Sequence, residues 1–202
     1  MQKEVSSLLN EQINKELYSA YLYLDMANYY ADQGLNGFEN WFYVQAQEER
    51  DHAMLIRGYL LNNDEHITLL AIDAPDEAYA DLKAPLTKTL AHEQTVTASI
   101  NNIYAVAYEQ KDFRTMQFLD WFVKEQGEEE KNATDLIRKY ELFGSDSKGL
   151  YLLDQELGAR VYAPPSLVLW LLRLLKQTEK PLLGRNSGFF IWVKVIKFIR
   201  SF

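Results

Sequence analysis

Two short stretches carry the residue types that could do chemistry: Ala46-Gln47-Glu48-Glu49-Arg50-Asp51-His52 and Lys124-Glu125-Gln126-Gly127-Glu128-Glu129-Glu130. Residues three apart share one face of a helix, so Glu49 stands beside His52, and Gln126 and Glu129 repeat that geometry. A carboxylate next to an imidazole can grip a metal ion. A single acidic pair is more often a solvated helix face, but a second spacing argues against that here. Glu16 precedes Glu49 by 33 residues, and Glu93 precedes Gln126 by 33. Adding 77 to a number in the first half lands on its counterpart in the second: Glu16 on Glu93, Glu48 on Glu125, Glu49 on Gln126, His52 on Glu129.

The surroundings of these acids are apolar. Glu16 sits between Ile13 and Leu17 beside Tyr18, Tyr21 and Tyr23, and His92-Glu93 interrupts an inward pattern. Carboxylates converging in a core repel and lose hydration, at several kcal/mol each, unless cations neutralise them. Hard oxygens with a single imidazole suit iron(II) or manganese(II) better than copper or structural zinc. Di-iron carboxylate bundles take one Glu from each of two helices and a Glu-x-x-His from each of the other two. Glu16, Glu93 and Glu49-x-x-His52 supply three of these parts, and the fourth is altered to Gln126-x-x-Glu129. The two metal positions are therefore unequal, one on Glu16, Glu49 and His52, the other more loosely on Glu49, Glu93 and Glu129.

Four helices must bring these residues together. Residues 4–33 lack Gly and Pro and place Leu9, Ile13, Leu17, Ala20 and Leu24 on one stripe, with Gly34 as the stop. Asn36 is the expected cap of a second helix reaching Leu61, with Phe38, Trp41, Phe42, Ala46, Ala53, Ile56 and Leu60 inward. A third runs from near Leu82, with Pro85 in its first turn, to about Gln110, burying Leu90, Val96, Ile100, Ile103 and Ala107. Asp112 caps a fourth that extends to about Leu142, with Met116, Leu119, Phe122, Leu136, Ile137 and Tyr140 inward, and a short fifth fits 147–158. Two short links make antiparallel hairpins, while the connection over 64–81 is long enough to let helices two and three run parallel. The expectation is an all-α protein: a four-helix bundle with one long crossover, plus a short fifth helix.

A chain of 202 residues, 48% hydrophobic and 13% aromatic, can build one full core. The absence of cysteine excludes disulfides, thiolate zinc sites and thiol catalysis, and fits a reducing cytoplasm. Met1-Gln2-Lys3-Glu4 leads directly into a helical pattern without a secretion signal. The net charge of −8 conceals an asymmetry, since residues 164–202 carry seven Lys/Arg and one acid, leaving 14 basic and 28 acidic residues before them. An acidic body repels nucleic acid and attracts cations.

Over residues 1–162 the chain resembles the bacterial non-haem ferritins. The resemblance rests on Asn14-Lys15-Glu16-Leu17-Tyr18-Ser19, Ala46-Gln47-Glu48-Glu49 with His52, His92-Glu93-Gln94, and Glu125-Gln126 with Glu128-Glu129-Glu130, in order and in spacing. It implies a ferritin-like fold and a ferroxidase centre, with one iron on Glu16, Glu49 and His52 and a second on Glu49, Glu93 and Glu129 beside Gln126. A third iron position would fall on Glu48, Glu125, Glu128 and Glu129. Tyr23, two helical turns after Glu16, matches the family's tyrosine near the centre. The implied activity is iron storage: two ferrous ions sharing Glu49 each give an electron to dioxygen or peroxide, and the ferric product passes to a mineral core. The implied assembly is a 24-subunit shell, with the fifth helix and its Leu150, Leu152, Leu153 and Leu157 around a four-fold axis.

Rubrerythrin-like and bacterioferritin-like readings are weaker, because the first brings a cysteine site and the second needs Glu-x-x-His twice. A small-shell DNA-protecting protein lacks the fifth helix. His66 falls in the crossover, and His92 reads as a structural or supporting histidine. Residues 163–202 depart from the ferritin pattern, with an apolar run at 167–175 and a basic amphipathic one at 189–202. Arg173, Lys194 and Lys197 keep both short of a bilayer span, so the functional reading of this extension is a membrane-surface or shell-surface anchor, and its abrupt change of composition equally fits a non-native or read-through extension with no selected role.

Overall fold

Gly34 adopts φ 74°, the left-handed conformation that closes a helix, and it does so where the first periodic stretch ends. In the computed structural model, which describes residues 1–75 and 78–167, the elements are α1 (Lys3–Asp32), α2 (Asn36–Asn62), α3 (Ala84–Glu109), α4 (Phe113–Phe143) and α5 (Ser147–Leu157). The α3–α4 turn uses the same device at the position 77 residues later. Lys111 takes φ 55° there, and the Asp112 N–H reaches back to Ala107 O at 2.8 Å. Asp112 Oδ1 then accepts from the Thr115 N–H, the cap that starts α4.

The long crossover climbs the length of α1. Ser6 Oγ donates to Glu65 Oε2, and Asn10 accepts from the Thr68 N–H while donating to His66 O. Further on, Tyr79 donates to Asp25, and Tyr30 donates to Leu82 O at 2.6 Å. The link leaves near the start of α1 and arrives near its end, so α3 runs parallel to α2. The bundle is the expected one, with α1 packed on α2 and α3, and α4 on α3. An aromatic stack of Tyr30 with Phe38 and Phe42 (centroids 4.9 and 5.4 Å apart) fills the end of the bundle near the α1–α2 turn.

Three local expectations need correction. Asn36 is the first residue of α2 rather than its cap, and makes no capping hydrogen bond. The cap comes from α5, where buried Asp154 Oδ1 accepts from the N–H groups of Gly37 (2.8 Å) and Phe38 (3.1 Å). Leu24 is exposed and Leu17 half-buried, because α1 has two apolar faces: Leu9, Ile13, Met26 and Tyr30 lie inside, while Leu17 and Leu24 line an open groove with Tyr21, Tyr43 and Ile72. Leu90 and Met116 are likewise only half-buried.

Asp146 caps α5 through the N–H groups of Lys148 and Gly149, and Leu153 and Leu157 pack inward while Tyr151 and Leu152 stay exposed. Gly37 permits the close approach of α5, since a Cβ there would lie 1.6 Å from Asp154 O. Replacing Asp154 by Ala removes the acceptor for two N–H groups of α2, and the expected loss is about 1–2 kcal/mol in urea denaturation. Loss of α5 docking without loss of α2 helicity should accompany it. Stability unchanged in that assay would rule out the remote cap.

Among the described residues no helix is long and apolar enough to cross a membrane. The expected runs at 167–175 and 189–202 lie, apart from Leu167, outside the described residues.

Candidate metal centre

Each helix of the bundle contributes a polar side chain at the level where a core residue would otherwise sit. Glu16 of α1, Glu49 and His52 of α2, Glu93 of α3, and Gln126 and Glu129 of α4 are all buried, none more than 6% exposed. The i, i+3 spacing on α2 sets His52 Nδ1 3.4 Å from Glu49 Oε2, and Trp121 and Phe122 hold the imidazole edge-on at centroid distances of 5.4 and 6.0 Å. One ligand atom each from Glu16, Glu49 and His52 falls within 4.8 Å of the others. His52, Glu125 and Glu129 form a second group by the same measure, so His52 belongs to both.

The electrostatics are those of a site that wants cations. Burial pushes the Glu16 carboxyl up to about 8, with the neighbouring Glu49 charge adding to it. Burial and Glu93 hold Glu49 well above the usual carboxylate range, and burial with Glu49 does the same to Glu129. Glu93 is raised by burial too, offset by hydrogen bonds from Tyr23 and Gln126. Glu16 Oε2 is buried without a hydrogen-bond donor. A shared proton or a cation would satisfy that oxygen opposite Glu49. Two carboxylates and an imidazole, with one carboxylate oxygen unsatisfied, fit a hard to borderline divalent ion such as iron(II).

The remaining predicted residues are placed differently from one another. The Tyr23 hydroxyl donates to Glu93 Oε1 in a short hydrogen bond, and Gln126 Nε2 donates to Glu93 Oε2 at 3.1 Å. Glu93 is thus turned toward these two donors and joins neither three-ligand group, although its charge acts on both Glu49 and Glu129. Glu48 and Glu125 are half-buried, and each feels the other's or a neighbour's charge, but Glu48 is engaged by Arg160. Glu128 is exposed and pairs with Lys124 at 2.9 Å. His92 lies half-buried with Nε2 2.7 Å from Ser19 Oγ, against the rings of Tyr18 and Tyr23.

The family profile described as "Ferritin-like domain" matches residues 6–143. A bacterial non-haem ferritin of Campylobacter jejuni is 41% identical over 155 residues, covering 77% of this chain and 93% of that protein. The chain belongs to the bacterial non-haem ferritin family. The ferritin of Staphylococcus saprophyticus is 38% identical, covering 80% of this chain and 97% of its own. Among solved structures, a closed form of the Archaeoglobus fulgidus ferritin engineered by mutagenesis superposes with a TM-score of 0.79 at 40% identity, covering 81% of this chain and 99% of that one. The open-pore ferritin of the same archaeon gives 0.78. Residues 168–202 lie outside what these ferritins cover.

Sequence reasoning missed four residues that bear on the site of this ferritin. Gln12 donates to Glu16 Oε1 at 2.9 Å and Gln45 to Glu49 Oε1 at 3.0 Å. Ser99 and Arg160 bond in turn to those two glutamines. The signal for the glutamines was available: they lie four residues before their glutamates and, like them, 33 residues apart. No sequence signal pointed to Arg160, which approaches from beyond α5.

Proposed function

We infer that this ferritin oxidises ferrous iron at paired cation positions in the bundle and stores the ferric product inside a shell of identical subunits, 24 by the family's pattern, in the cytoplasm. The observation that carries the reading is the burial of Glu16, Glu49 and His52 as one ligand group with Glu16 Oε2 left unsatisfied, beside a second group that also takes His52. Iron is the substrate. One ion binds to Glu16, Glu49 and His52. The second takes Glu129 and Glu93 with Glu49 shared, once Glu93 turns from Tyr23 and Gln126. Glu125 beside Glu129 and His52 supports a further cation position extending toward Glu48 and Glu128.

Two ferrous ions furnish two electrons, which reduce dioxygen to peroxide or peroxide to water, with two protons consumed in either case. The carboxyls contribute to that balance, since burial favours the protonated form of Glu16 and shifts Glu49 in the same direction, and a bound cation displaces such protons. The rings of Trp121 and Phe122 pack against His52 and keep its imidazole in one orientation. Aerobic addition of ferrous ion, followed by ferric absorbance and light scattering, tests the reading. Catalysed oxidation by particles of shell size is expected, and neither signal above buffer would end it.

Tyr23 serves Glu93 in this reading, whether or not it also gives an electron. Tyr23→Phe frees Glu93 Oε1 and leaves a buried carboxylate short of one donor, which costs about 1–2 kcal/mol in the metal-free chain. Initial oxidation should change modestly, while full loss of activity would instead make Tyr23 a required electron donor.

Residues 1–162 form the ferritin unit and 163–202 an apolar and basic extension, for which a membrane-surface or shell-surface anchor stands as the alternative to an extension with no selected role. Ending the chain after Ala163 keeps Arg160 and Tyr162, whose side chains bond to Glu48 and Asp51 of α2. The truncated protein should oxidise iron and assemble as before but lose binding to anionic vesicles or to neighbouring shells. Equal vesicle binding and equal shell association with and without the extension would dismiss the anchor.

A further inference from the structure

Both carboxylate ligands of the first cation position are held by a glutamine one helical turn earlier, and each glutamine is held in turn. Gln45 Nε2 donates to Glu49 Oε1 at 3.0 Å, and its own Oε1 accepts from Arg160 Nη2 at 2.8 Å. Gln12 Nε2 donates to Glu16 Oε1 at 2.9 Å, and its Oε1 accepts from Ser99 Oγ at 2.6 Å. Ser99 Oγ accepts from Lys15 Nζ at 2.7 Å. The two glutamines are fully buried in α1 and α2, each four residues before its glutamate.

An amide side chain has two faces, and turning it over would aim its carbonyl oxygen at the carboxylate. Arginine and lysine can only donate hydrogen bonds. Arg160 therefore fixes the carbonyl end of Gln45, and Lys15, by occupying a lone pair of Ser99, directs the serine proton onto Gln12. Each relay has a single polarity, from a cation at its head to a carboxylate oxygen at its end. Arg160 is itself fixed, lying 4.4 Å over the Trp41 ring and donating to Trp41 O and Glu48.

The consequence falls on the opposite oxygens. With Oε1 occupied in both glutamates, Glu16 Oε2 is left unpartnered and Glu49 Oε2 faces His52 at 3.4 Å. These are the atoms that would meet a cation. We propose that the Lys15–Ser99–Gln12 and Arg160–Gln45 relays are the positioning devices of the first cation position, fixing which oxygen of Glu16 and Glu49 is presented to the metal. Arg160 extends this control to the segment after α5, which lies far from α2 in sequence and reaches the centre through Gln45. The proposal rests on the iron-binding reading above and deepens it.

The test uses Co(II), which occupies such a site without being oxidised by air and reports coordination in its visible spectrum, titrated into the full-length chain. The variants are Gln12→Leu, Gln45→Leu, Ser99→Ala and Arg160→Met, the last two far enough from the ligands to leave the core packing intact. The expected result is a loss of Co(II) affinity of roughly 10- to 100-fold for the glutamine variants and roughly 10-fold for the two relay heads, each with an altered visible band. Particle size should stay near wild type, and metal-free unfolding should be eased in the glutamine variants only by the loss of one donor to a buried carboxyl. Wild-type Co(II) affinity and spectrum in all four variants would overturn the relays and leave the metal site standing. A wild-type chain that takes up no Co(II) would overturn the metal site and the relays with it. Weakened binding in Gln12→Leu and Gln45→Leu together with wild-type behaviour in Ser99→Ala and Arg160→Met would also overturn the relay, since the glutamines would then act without their heads.

Discussion

Glu49→Gln should slow ferrous oxidation by about 100-fold and, in the same preparation, make the metal-free chain harder to unfold by about 1–4 kcal/mol. The two effects have opposite signs because one side chain carries two burdens. Glu49 is buried beside Glu16, under the charge of Glu93, and its carboxyl is held well above the usual range by burial first and by that neighbour second. Glutamine keeps the volume and an oxygen that can accept from Gln45, so the packing survives. It removes a carboxyl whose ionisation burial and Glu93 oppose, and one of the oxygens that cations need. Sites built for binding commonly sacrifice stability in this way. Stopped-flow ferric absorbance reads the first effect, and urea denaturation with a chelator present reads the second. A variant that oxidises iron normally would mean that the cations bind elsewhere. A variant slowed but also destabilised would mean that Glu49 is a structural member of the bundle and that its charge is already compensated.

The legible parts of this fold were those encoded within one or two helical turns. Gly34 and Asp112 announce their turns through backbone preference and a short side-chain cap, both local effects. Glu16 and Glu93 stood out because a charged residue amid an inward pattern contradicts burial unless something neutralises it, and the 33-residue spacing tied each to its partner helix. What stayed hidden was carried by contacts between distant segments. Asp154 caps α2 across more than a hundred residues, a role no local pattern shows. Lys111 takes a glycine's conformation because the surrounding hairpin compels it. Leu17 and Leu24 were assigned to the core because periodicity identifies an apolar face without saying which of two faces is inside. At the centre, the convergence of buried acids with His52 was readable, but the turning of Glu93 toward Tyr23 and Gln126 depends on side-chain geometry that spacing does not determine.

The stability of the metal-free ferritin should fall as pH rises from about 5 to about 8, and bound divalent metal should flatten or reverse that slope. Glu16 ionises near 4.5 when the chain is unfolded and near 8 when folded. Between those values the folded chain holds a proton that the unfolded chain has released. More protons on the folded side means that raising the pH favours unfolding, by up to about 1.4 kcal/mol per pH unit for a fully buried group. Below the lower value the carboxyl is protonated in both states and contributes nothing, and above the upper value the loss levels off. Glu49 and Glu129 are shifted in the same direction by the same cause, so they deepen the slope. Metal binding inverts the balance because its ligands must be deprotonated, so affinity rises through the window in which bare stability declines. Urea midpoints measured across this range, with chelator and with Co(II), separate the two curves. A metal-free midpoint that climbs with pH would show that Lys15 and Arg160, at the heads of the two hydrogen-bond chains, already neutralise the buried carboxylates. The centre would then not depend on cations for its charge balance.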